Sequence, residues 1–117
     1  MAGPDLPIMC TLPPNAMVER LTRFEALFGA SLTGLEREPL LLRLAFEAGA
    51  EREARLRELF AAEQRCCAFL TFGYERTEAG LRVSIAAPAG AGATLDGFQA
   101  LAERTAPPQA VARSWTG

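Results

Sequence analysis

Four apolar residues, Met17, Leu21, Phe24 and Phe28, recur at i, i+4, i+7 and i+11 behind Pro13 and Pro14. That spacing lines one face of a helix, and proline sits well in a first helical turn, so the pattern predicts a helix opened by the prolines and ended at Gly29. From Ala30 to Phe46 the period falls to two. Leu42, Leu44 and Phe46 alternate with Arg43 and Ala45, and Glu36-Arg37-Glu38-Pro39 divides the stretch into the arms of a hairpin. Gly49 breaks the second arm, and a second helix is predicted from about Glu51 to Cys66. Beyond it Leu70, Phe72 and Tyr74 share one strand face, Thr77-Glu78-Ala79-Gly80 turns the chain, and Leu81, Val83 and Ile85 line the returning strand. After a small-residue loop from Pro88 to Ala93, a short helix holds Leu95, Phe98, Leu101 and Ala102, with Thr94 or Asp96 as its cap.

A short extended segment around Pro7 to Thr11 completes the predicted order β-α-β-β-α-β-β-α. This is an α+β fold, with an antiparallel sheet of four or five strands, two main helices and a short C-terminal helix, the helices mainly on one sheet face. Helix followed by hairpin occurs twice, a weak duplication. Residues 8–104 read as a single domain. Residues 1–7, rich in proline and glycine, and residues 105–117, which contain the only tryptophan, Trp115, read as flexible termini.

The second helix carries the most informative deviation from its pattern. Counting about 100° per residue from Leu56, the stripe of Leu56, Leu59 and Phe60 lies at roughly 0°, 300° and 40°; Glu63 falls near 340°, Cys66 near 280° and Cys67 near 20°. Glu63 therefore points inward. A buried carboxylate costs several kcal/mol unless it is paired with a cation, hydrogen-bonded or kept neutral. Arg20, Arg23 and Arg43 are the candidate partners. The interleaved charges Glu51, Arg52, Glu53, Arg55, Arg57 and Glu58 read instead as a solvated face laced with i,i+4 pairs.

Composition narrows the chemistry. The chain has 117 residues, enough for a core without disulfides or a structural metal, and a formal charge of only −2, which gives no electrostatic reason to bind nucleic acid or an anionic membrane. No basic n-region or long apolar run opens the sequence, and nothing approaches the ~18 apolar residues of a membrane span, so the expected location is cytoplasmic. Histidine is absent, which excludes Cys-His and Ser-His pairs and imidazole ligands. Lysine is absent too, removing Schiff-base and P-loop chemistry. The run Pro88 to Ala93 does not fit a phosphate-binding glycine motif. Leu40, Leu41 and Leu42 in succession leave room for a homodimer interface.

Three cysteines remain: Cys10, Cys66 and Cys67. In a reducing compartment they are expected as thiols, and Cys66 cannot readily bond Cys67, because adjacent Cα atoms lie about 3.8 Å apart, below the usual span of a disulfide. Cys10 with one of the pair is the expected oxidised state. Cys10 also precedes a helix N-terminus, whose dipole favours thiolate. Soft ions such as Hg, Cu(I) and As(III) prefer thiolate sulfur, and Zn accepts it, so Cys10, Cys66 and Cys67 with Glu63 form a candidate metal or metalloid site that needs no organic cofactor. Adjacent sulfurs reach one ion only if the backbone turns between them, as it does where helix hands over to strand. Two other readings stand beside it. One is a histidine-free thiol redox enzyme using Cys10 with Cys66 or Cys67 and Glu63 as base; the other is a dimeric interaction module whose cysteines are inert core filler.

Cys10-Thr11-Leu12, Glu19-Arg20 in the first helix, and above all Glu63-Gln64-Arg65-Cys66-Cys67-Ala68-Phe69-Leu70-Thr71-Phe72 resemble a group of small, largely uncharacterised bacterial proteins with a Glu-x-x-Cys-Cys-(Ala/Pro)-Phe signature. Some of these are encoded near heavy-metal or mercury resistance genes. The resemblance spans roughly residues 8 to 103 and implies a metal or metalloid role for Cys10, Cys66 and Cys67, with Glu63 belonging to the same site.

Overall fold

The computed structural model describes residues 12–116. Its elements run α1 (Pro14–Ser31), β1 (Leu32–Glu38), β2 (Leu41–Glu47), α2 (Ala50–Cys66), β3 (Thr71–Thr77), β4 (Gly80–Ala86), α3 (Gly92–Glu103) and α4 (Pro108–Thr116). The fold is α+β, as the hydropathy pattern predicts, and α-β-β occurs twice in succession. The extended segment expected at Pro7 to Thr11 lies outside the described residues.

Two antiparallel hairpins lie side by side in a four-stranded sheet of order β1-β2-β4-β3. Period two sets its two faces apart. Leu42 pairs with Ile85, Leu44 with Val83 and Phe46 with Leu81 across the central strands, and all six are buried. Phe72 and Tyr74 extend these rungs onto β3, while Leu35 and Leu32 extend them onto β1. The opposite face carries ion pairs of Arg43 with Glu38 at 2.7 Å and Arg82 with Glu75 at 3.2 Å. Only the apolar face needs a cover, and the helices supply it. Gly80 closes the β3–β4 turn at φ 152°, and any side chain there would run into the backbone carbonyl of Phe46.

Helix α1 places its predicted stripe, Met17, Leu21, Phe24 and Phe28, in the core. Phe24 is the hub of an aromatic cluster, with ring centroids 5.0 Å from Phe60 of α2, 5.4 Å from Phe98 of α3 and 5.8 Å from Phe28. Gly29 does not end the helix, which continues to Ser31 and enters β1 through extended backbone at Leu32. No left-handed residue is needed for that exit, so the usual reason for a terminal glycine is missing.

Two further departures concern the C-terminal third. Neither Thr94 nor Asp96 caps α3. Thr94 is already inside the helix, its amide bonded to the Ala91 carbonyl, and Asp96 holds Arg37 of β1 at 2.8 Å. The stretch expected as a flexible terminus, residues 105–117, includes α4, whose Val111 and Ala112 are buried. Gly97 makes that docking possible. A Cβ on it would meet Trp115 Nε1 at 2.5 Å and Val111 Cγ1 at 2.9 Å, so only glycine lets α3 and α4 approach so closely. Trp115 stacks at a tilt on Phe98, 5.1 Å between centroids.

Candidate functional site

Helix α2 ends where the expected chemistry begins. Its last residue is Cys66, and Cys67 leaves helical backbone at φ −116°, ψ 68°. The turn is held from three sides: the Cys67 amide donates to the Glu63 carbonyl at 2.7 Å, the Leu70 amide to the Cys67 carbonyl at 3.1 Å, and the Gln64 side-chain amide to the Leu70 carbonyl at 2.6 Å. The change of direction expected between the two cysteines is therefore present and fixed. Gln64, which the sequence pattern left without a role, is one of the groups that fix it.

Glu63 is buried, 1 % exposed, as the helical wheel predicts. Its partner is Arg20 of α1, whose Nη1 donates to Glu63 Oε1 at 3.1 Å. The same nitrogen reaches Cys66 Sγ at 3.9 Å, so one guanidinium joins the acid and the sulfur. Glu63 Oε2 has no hydrogen-bond partner among the described residues. Burial raises the carboxyl from 4.5 to about 7, and the charge and hydrogen bond of Arg20 offset only part of that rise. At neutral pH the group is poised between acid and carboxylate.

The two cysteines differ. Cys66 is a free thiol, half-buried against the core. Cys67 is fully buried and disulfide-bonded, where a reducing compartment would leave it a thiol. Cys10 lies outside the described residues. Among the described residues no group of three or more Cys, Asp or Glu is arranged to hold a metal ion.

The chain finds no match among protein-family models, curated proteins or solved structures. No described helix is long and apolar enough to cross a membrane.

Glu51, Arg52, Arg55, Arg57 and Glu58 of α2 are exposed, as a solvated face requires, but the i,i+4 pairs expected among these charges are not formed among the described residues. Glu53, near 60° on the same wheel, is a second buried acid. Arg76 of β3 grips it with Nη1 donating to Oε2 at 3.1 Å and Nη2 at 2.9 Å from Oε1, the latter an ion-pair distance without hydrogen-bond alignment. Arg57 lies over the Tyr74 ring, 4.5 Å from its centre, and Arg52 pairs with Glu47 at 3.3 Å. Burial raises the Tyr74 phenol and Arg57 opposes that rise. Among the described residues, these contacts tie α2 to the sheet, and no ion pair runs within the helix.

A groove of about 440 Å³ runs between α1 and α2. Leu27, Leu59 and Ala62 supply apolar lining, and Arg20, Arg23, Arg55 and Glu58 supply its charges. Arg20 thus belongs to both the groove and the Glu63–Cys66 cluster.

Proposed function

We propose that this protein carries out thiol–disulfide exchange in a histidine-free site, with Cys66 as the attacking sulfur, Glu63 as its proton acceptor and Arg20 as the cation that serves both. The observation that carries the reading is a free thiol beside a bonded cysteine, touched by the guanidinium that holds a buried, half-ionised acid. A thiolate, not a thiol, attacks a disulfide, so the step needs a base and a counter-charge. Both lie within one helical turn of Cys66 or on the facing helix. In the step itself the Cys66 proton passes to Glu63, and Cys66 Sγ bonds one sulfur of a partner disulfide. The other sulfur leaves with the bond's electron pair and takes up the proton.

A non-reducing peptide map identifies the sulfur bonded to Cys67. Coordination of Hg, Cu(I), As(III) or Zn by the same cysteines takes thiolates, so it asks for prior reduction of the Cys67 bond. Arsenite titration before and after reduction separates the two uses of the site.

Incubation with the disulfide of 2-mercaptoethanol, a small neutral probe, tests the reading. The expected product is a mixed disulfide at Cys66 in the folded protein, absent in Cys66→Ser. Labelling of Cys66 only after denaturation would make it inert packing.

A further inference from the structure

We propose that the α1–α2 groove selects the exchange partner of Cys66, and that the partner is a sulfur compound with an apolar stem and a carboxylate. The proposal rests on the exchange reading and adds the class of molecule it acts on. Three features of the groove point there.

First, the groove and the reactive sulfur share Arg20. Arg20, in its lining, contacts Cys66 Sγ at 3.9 Å, and Ala62 lies one helical turn before Cys66 on α2. Second, apolar side chains from both helices share the lining. On α1 the lining runs from Arg20 to Ala30, about 15 Å at the rise of an α-helix, with Leu27 and Leu59 facing in from the two helices. About 440 Å³ falls within the range of small-molecule sites. Third, its charge is complementary to an anion. Three arginines stand against the single acid Glu58. Arg20 is committed to Glu63. Arg23 is held only by an exposed i,i+4 pair with Glu19, which is worth little, and Arg55 makes no ion pair among the described residues. An alkyl chain on Leu59 and Leu27, with its carboxylate on Arg55 at the far end and Arg23 adding positive charge beside the stem, brings its sulfur to the Cys66 end.

The test compares the disulfides of 6-mercaptohexanoate and 6-mercaptohexanol, matched in length and differing in charge, by the rate of mixed-disulfide formation at Cys66. The carboxylate probe is expected to react about tenfold faster, the scale of two partly exposed charge pairs. That ratio falls to near one in Arg23→Gln/Arg55→Gln, and it persists in Arg82→Gln, on the far face of the sheet. Equal rates in the native protein, or a preference that survives the double substitution, overturn the groove and leave exchange standing. Reaction with neither probe, nor with the disulfide of 2-mercaptoethanol, overturns the exchange reading and this one with it.

Discussion

Phe24→Ala lowers the unfolding free energy by about 3–5 kcal/mol, the cost of deleting a fully buried aromatic ring and leaving a cavity. Phe24 has no exposed surface and touches rings from α1, α2 and α3. No neighbour can collapse into the space without undoing another contact, because interiors are packed as densely as crystals. A domain of this size holds about 5–15 kcal/mol in all, so the substitution consumes a large share of it and lowers Tm by more than about 12 °C. Arg20 lies one turn before Phe24 on the same helix, so the ring that docks α1 also aims the guanidinium at Glu63. Urea denaturation measures the loss. A change below about 1 kcal/mol would mean that α1 is not seated on α2 and α3 through this ring.

Glu63→Gln removes a pH dependence that the native protein shows between about 4.5 and 7. The Glu63 carboxyl is raised from 4.5 to about 7 by burial, against the pull of Arg20. Within that window the folded protein keeps a proton that the unfolded chain has released. Stability therefore falls as pH rises. The contribution is whole below about 4.5 and has been lost by about 7, at an outer bound of about 3 kcal/mol from the difference between the two states. Glutamine fills the same space and cannot ionise. The gap between variant and native stability should move in the variant's favour across the window and level off above it. Urea midpoints from pH 4 to 8 on both proteins provide the comparison, and parallel curves would show that Glu63 titrates as an ordinary surface acid.

Much of this architecture is written in periodicity. The stripe of α1 and the alternation of Leu42, Leu44 and Phe46 against Leu81, Val83 and Ile85 predict both the elements and the buried sheet face. The position of Glu63 was legible for the same reason, since a wheel angle needs no partner to be known. Its partner was one of three candidates until the fold brought Arg20 beside it, because pairing across 43 residues depends on helix packing, which no local pattern encodes. Glu53 was missed because its neighbours are charged and its counter-ion, Arg76, comes from another element. Helix α4 was missed because its prolines and alanines look like a tail, whereas what holds it is a close approach to Gly97 that only three dimensions show. The cysteines were singled out from sequence, but not the division between a free Cys66 and a bonded Cys67.

The central claim is that Glu63 serves the thiol of Cys66, and the rate of Cys66 alkylation in the folded protein as a function of pH tests it most directly. The account predicts labelling without denaturation, with a step in rate near pH 7 as Glu63 becomes a carboxylate able to take the proton, and loss of that step in Glu63→Gln. Superimposable profiles for the two proteins, or a Cys66 that reacts only once the chain unfolds, would contradict it.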